Sequence, residues 1–277
     1  MSDASDFAEL QKLAPKEAVA WLMARSKLTK SYAWQDVWQS EHSTQFTVSR
    51  LARLDLLQAL HDGITKSVDG DLSRGDWMRD AEQLLADAGW WGFKAMTDPA
   101  TDKMVLTKFD PARLKLIYDV NTRQAYATGL WERVDRSKGA LPYVRYITKR
   151  DERVRASHAA WDNVALPVDD PFWKTHWPPN GWRCRCRVMS MTQREYDAGK
   201  SPTGAALKKK SPTVTMREYI NPRSGEISQM PVGIDPGFAY NPGMVRQKAL
   251  QDVMDGKLAS ANPGLADAAR RAGFKKD

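Results

Sequence analysis

The stretch from Arg150 to Arg187 constrains the fold more than any other. It holds the only two cysteines of the chain, Cys184 and Cys186, and two of its four histidines, His158 and His176. It also holds Trp161, Trp173, Trp177 and Trp182, punctuated by Pro167, Pro171, Pro178, Pro179, Asn180 and Gly181. Few aliphatic side chains and many chain-turning residues make a loop framework, not a long helix or a wide sheet. Such a framework is fixed either by packing its aromatic rings or by a bound metal. The tryptophans read first as a small aromatic core and second as exposed anchors for a partner.

One residue separates the cysteines, so a disulfide between them is badly strained. They read as reduced thiols or metal ligands in a cytosolic protein. Thiolate and imidazole together select zinc. Arg183 to Met189 alternates like a strand, and on a strand Cys184 and Cys186 aim both sulfurs at one point. His158 and His176 then complete a four-ligand structural zinc site, with Asp162 as a substitute oxygen donor. The competing reading is packing: paired zinc cysteines usually have two or more residues between them, small thiols sit well in cores, and His158 beside Asp162 reads as a hydrogen-bonded histidine.

On the same strand Arg183, Arg185 and Arg187 face the other way as a basic stripe. Together with Lys208, Lys209 and Lys210 it suits double-stranded DNA or an acidic partner surface; a solvated strand face is the plainer reading. The chain has 42 Lys and Arg against 34 Asp and Glu, a net charge of +8 and a pI near 9.4, which permits nucleic-acid contact without requiring it.

The rest reads as α+β: a helical N-terminal region followed by a small, loop-rich, β-containing domain. Phe7, Leu10, Leu13 and Ala14 begin a helical stripe that Ala18, Trp21 and Leu22 continue beyond Pro15. A second stripe runs through Phe46, Leu51, Leu54, Leu57 and Leu60 to Gly63. A third spans Arg74 to Ala88, closed by Gly89, and Trp90, Trp91 and Phe93 follow as an aromatic turn. Asp110-Pro111 opens a helix with Asp as cap and Pro in the first turn; Asn121 falls on its apolar face and needs a specific partner. Strands are expected at Tyr143–Thr148, Arg183–Met189 and Thr213–Met216. Residues 197–212 read as an exposed linker, Asn241-Pro242-Gly243 as a turn, and Val245 to Leu258 as a terminal helix. The expected organisation is a helical region over 1–108, a core domain over 109–195, and a linker, short strand and helical tail over 196–277.

No apolar run approaches the ~20 residues that span a bilayer, and no apolar signal region follows Met1. There is no Gly-rich phosphate loop, Gly-x-Ser-x-Gly or His-Glu-x-x-His. Asp169-Asp170 before Pro171 reads as a turn, not a catalytic carboxylate pair. A Cys–His nucleophile pair, or a metal-dependent nuclease using His158 and His176, is the enzyme alternative; no enzyme is the expectation.

Val154 to Asp162 resembles the Arg-x-x-His-x-x-x-Asp motif of the phage Mu head-morphogenesis (F-protein-like) family, and Asp169–Trp173, Pro178–Trp182 and Cys184-Arg185-Cys186 continue it in order. Asn121, Ala125 and Tyr126 match the family helix, Gly89–Gly92 fits Mu-like relatives, and Gly233–Phe238 with Tyr240–Gly243 is similar to its closing segment. Where relatives often have glycine after the motif aspartate, this chain has Asn163, which tolerates left-handed backbone. The resemblance implies a minor head protein of a tailed phage or prophage, acting in prohead assembly near the portal. Portal, scaffold or major capsid protein are the implied partners, with packaged DNA a further one and no membrane. The implied location is host cytoplasm during assembly, then the capsid interior or portal vertex. Some relatives carry fused toxin or nuclease domains; this chain reads as the short, purely morphogenetic form.

Overall fold

The computed structural model describes residues 16–271. The opening stripe through Phe7, Leu10, Leu13 and Ala14 lies outside them. The protein is α+β, with helices dominating its N-terminal half. Helix α1 (Lys16–Ala24) buries Ala18, Trp21 and Leu22. Two-residue strands β1 (Lys27–Leu28) and β2 (Gln45–Phe46) pair in parallel.

Helix α2 (Leu54–Asp69) starts later and ends later than its apolar stripe suggests. Phe46, in β2, and Leu51, in the loop after it, are buried ahead of the helix, and Gly63 lies inside it. Gly63 is a packing glycine: a Cβ there would sit 2.8 Å from the Trp77 ring. The helix stops at Gly70, whose φ of +99° suits glycine. Helix α3 (Arg74–Asp87) is capped by Ser73, which accepts from the Asp76 N–H.

The helical N-terminal region also holds, over residues 92–109, a hairpin that the reading of 1–108 as a helical region does not include. Strands β3 (Gly92–Asp98) and β4 (Lys103–Phe109) form an antiparallel hairpin, from Gly92 opposite Phe109 to Asp98 opposite Lys103. Phe93, Met104 and Leu106 are exposed on it.

Helix α4 (Pro111–Ser137) opens as Asp110-Pro111 requires, with the Asp110 side chain accepting from the Arg113 N–H. Its 27 residues span about 40 Å. The helix serves two cores in turn. Leu114 and Ala125 pack with α1, α2 and α3, whereas Ala127, Trp131 and Val134 pack with the rings of Trp161, Phe172, Trp173 and Trp177. The motif stretch therefore does build an aromatic core.

Above that core lies a three-stranded antiparallel sheet in the order β6 (Ala165–Pro167), β5 (Tyr143–Ile147), β7 (Arg187–Met191). The expected strand over Arg183–Met189 is displaced: Arg183 has φ +59°, a turn conformation, and pairing begins only at Arg187 opposite Ile147. Short helices α5 (Ala156–Trp161) and α6 (Gln193–Ala198) flank the sheet. The supposed linker at 197–212 is tied down, since the Lys208 N–H donates to the Asn163 carbonyl and the Ala165 N–H to the Lys208 carbonyl, both at 2.9 Å. Strands β8 (Met216–Ile220) and β9 (Ile227–Pro231) make a second hairpin, later than the strand expected at Thr213–Met216. Asn241-Pro242-Gly243 is the capped start of α7 (Pro242–Ser260), and α8 (Pro263–Arg271) follows. No helix among the described residues is long and apolar enough to cross a membrane.

Candidate metal centre and cation-lined cavity

Three of the sequence-selected residues converge. His158 on α5 is buried, and its Nδ1 lies 3.7 Å from the Cys184 sulfur and 3.6 Å from the Cys186 sulfur. The three ligand-type atoms lie within 4.8 Å of one another. The other face of the imidazole fixes its proton. Nε2 is 3.0 Å from the Gly233 carbonyl, which can only accept. Nε2 therefore carries the hydrogen, and the Nδ1 lone pair faces the two sulfurs. The ring stacks on Trp161 at 5.0 Å between centroids, which holds its plane.

The surroundings suit one thiolate, on Cys184. The Cys186 thiol is the main influence drawing the Cys184 thiol below its ordinary range, opposed by burial and aided by the Asn180 backbone N–H. Sharing in the opposite sense pushes the Cys186 thiol up. The Tyr146 hydroxyl is buried within hydrogen-bond reach of Cys186 and donates to Asn180 Oδ1 at 2.8 Å.

His176 does not join them. Its ring stacks on Phe172 at 4.1 Å and meets Trp161 edge-on at 4.7 Å, while its Nδ1 pairs with the Thr175 hydroxyl at 2.9 Å. Burial pulls its pKa down to about 4, which suits a neutral core histidine. Asp162 is also occupied elsewhere: it accepts from the Thr148 N–H at 2.8 Å and from Arg150 Nε at 2.9 Å. Asn163 takes the left-handed φ of +62° that its position demands. Asp170 caps the turn at Phe172, and Asp169 points to Lys138, so the adjacent carboxylates diverge.

The segments are knitted behind the cluster. Asp235 Oδ2 accepts from the Trp182 N–H at 2.8 Å and from Arg155 Nη2 at 2.9 Å, and the same Arg155 nitrogen also donates to the Trp182 carbonyl at 3.0 Å. A Cβ at Gly181 would lie 2.3 Å from Asp235 Oδ2, so only glycine lets the carboxylate close on this turn. Arg123 on α4 donates to the Cys184 carbonyl at 2.7 Å.

His158, Cys184 and Cys186 line one wall of a cavity of about 770 Å³. Its lining also includes eight Lys and Arg side chains against one carboxylate, Asp119. Asp119 pairs with Arg74, while Arg155 and Arg185 are neutralised by Asp235 and Asp151. Among the described residues Lys115, Lys149 and Arg183 have no ion-pair partner. Of the expected basic stripe, Arg183 and Arg185 line the cavity and Arg187 does not. Lys208 donates to the Ala160 carbonyl, Lys209 lies over the Tyr196 ring and Lys210 is exposed; none of the three lines the cavity.

The sequence model of the family described as Phage Mu protein F like protein matches residues 60–189. The putative capsid assembly protein F of Escherichia phage Mu is 32% identical over 258 residues, which is 86% of this chain and 56% of that protein. The chain belongs to the phage Mu protein F-like family. The FluMu F protein of a Mu-like prophage in Haemophilus influenzae is 29% identical over 163 residues, 59% of this chain and 38% of that relative. The Mu F-like chain thus spans about half the length, or less, of these curated relatives. No solved structure matches.

The matched span of this Mu F-like chain contains His158, Cys184 and Cys186, whereas Gly233, whose carbonyl orients His158, lies beyond it. Reading the sequence singled out the thiols and imidazole but missed the cavity's other cations. One signal was present: Lys115, Asp119 and Arg123 recur every fourth residue along α4, which puts them on one polar face.

Proposed function

We propose that this Mu F-like chain works in phage head morphogenesis as a minor, non-enzymatic head component near the portal, and that its cation-lined cavity meets phosphates of the packaged DNA. The head role is what the name of the phage Mu relative, a capsid assembly protein, supports for a chain of this family. The observation that carries the DNA contact is the cavity wall itself, with Lys115, Lys149 and Arg183 free of carboxylate partners among the described residues. Unneutralised cations on a concave surface attract polyanions and release counterions on binding.

Duplex DNA titrated across a salt series tests this. The logarithm of the affinity should fall linearly with the logarithm of salt, and each of Lys149→Gln and Arg183→Gln should flatten the slope by about one. Absence of binding at low salt, or variants that bind like the parent, would refute the DNA contact.

A further inference from the structure

The distances around His158 carry a second conclusion, independent of any DNA contact. In a tetrahedral zinc site with Zn–S of about 2.3 Å and Zn–N of about 2.0–2.1 Å, each sulfur-to-nitrogen edge comes to about 3.6 Å. The two edges here are 3.7 and 3.6 Å. The two sulfur-to-nitrogen edges thus match those of such a tetrahedron and the two sulfurs lie within 4.8 Å of each other, with the Nδ1 lone pair turned inward by the Nε2–H bond to Gly233.

The fourth corner has no His, Cys, Asp or Glu candidate among the described residues. His176 is stacked on Phe172 and bonded to Thr175, and both Asp162 oxygens are engaged by Thr148 and Arg150. The cluster instead borders the cation-lined cavity. Closed structural sites use four protein ligands, whereas three ligands beside a cavity leave a position for water or substrate.

We propose that His158 Nδ1 and the sulfurs of Cys184 and Cys186 bind a zinc ion whose fourth position opens into the cation-lined cavity and takes solvent or a phosphate-type oxyanion. Binding replaces the S–H bonds with Zn–S bonds and releases those protons to solvent, so affinity falls on acidification. Two thiolates cancel the zinc charge, and an oxyanion at the fourth position brings a negative charge that Lys115, Lys149 and Arg183 answer. The ion also joins α5 to the loop before β7.

The test uses the whole chain purified without chelators. Elemental analysis should find about one zinc per chain, and stripping with a strong chelator should lower the melting temperature. The stripped protein reconstituted with cobalt(II) should give a thiolate-to-cobalt charge-transfer band in the near ultraviolet and the intense visible bands of a tetrahedral ion. Inorganic phosphate added to the cobalt form should shift the visible bands. Cys186→Ser and His158→Ala should each lose the metal; if either fails to fold, the cobalt spectrum of the parent chain decides alone. No zinc and no charge-transfer band would overturn the site. A tetrahedral cobalt spectrum that phosphate and changes of solvent leave unmoved would overturn the open fourth position.

Discussion

Arg25 Nη1 donates to Asn121 Oδ1 at 2.9 Å, joining the residue just after α1 to the middle of α4 across 96 positions of sequence. Arg25 is almost fully buried, with its guanidinium over the Trp21 ring at 4.5 Å. Its remaining partner is the Gln45 carbonyl, which accepts from Nε and Nη2. No carboxylate is among its hydrogen-bond partners, and burial draws its pKa down to about 10, still charged at neutral pH. Asn121 is thus the specific partner that an amide on the apolar face of α4 required. Asn121→Leu keeps the volume and strands one donor of a buried cation. It should cost about 1.5–3 kcal/mol, measured as a lower denaturation midpoint with unchanged slope.

Gly243 lies in the first turn of α7, pressed against α4. A Cβ there would fall 2.3 Å from the Trp131 Cβ. Trp131 cannot yield, being buried and donating through Nε1 to Gln247 at 2.8 Å. Replacing a helical glycine by alanine gains up to about 1 kcal/mol in propensity, against about 1–3 kcal/mol for overpacking. Gly243→Ala should therefore destabilise the protein in equilibrium unfolding, whereas a stabilised variant would mean the helix can shift away.

Arg223, in the turn between β8 and β9, grips Asp98 through Nη1 at 2.5 Å and Nη2 at 3.0 Å, and Asp36 through Nε at 2.5 Å. The guanidinium holds the Asp98 carboxyl below its usual range. A depressed carboxylate pKa stabilises the fold above the unfolded value, near 4, and that contribution is lost as pH falls through the lower folded value. Thermal melts from neutral to acid pH should show Asp98→Asn least stable relative to the parent at neutral pH, the two converging below about pH 4.

Gly233 combines a φ of +96° with close approach, because a Cβ would lie 2.7 Å from the Ser157 Cβ. Its carbonyl sets the tautomer of His158. Gly233→Ala should lower stability by about 1–3 kcal/mol through strain and weaken zinc binding about 10–100-fold through the misplaced carbonyl. Competition with a chromophoric chelator reads the second effect separately from unfolding.

Local signals in the sequence were legible where one short segment decides the outcome. Asp110-Pro111 begins α4, Ser73 and Gly89 bracket α3, and the cysteines two apart do point at one imidazole. Outcomes set by distant neighbours were not. The β3–β4 hairpin carries exposed Phe93, Met104 and Leu106, so its alternation does not follow a buried face. Gly63 reads as a helix stop until Trp77 is seen against it. His176 stands as close in sequence to the cysteines as a ligand would, yet its ring is claimed by Phe172. The arginine stripe assumed an unbroken strand, and the turn at Arg183 breaks it. The cavity gathers cations from α3, α4, the loop after β5 and the turn before β7, a grouping that only the fold creates.

The most direct test of a head-assembly role is quantitative mass spectrometry of purified proheads and filled heads from a phage encoding this chain, with chemical crosslinking before digestion. The protein should be present in far fewer copies than the major capsid protein and crosslinked to the portal. Its absence from both particles, with normal heads forming when its gene is deleted, would contradict that role.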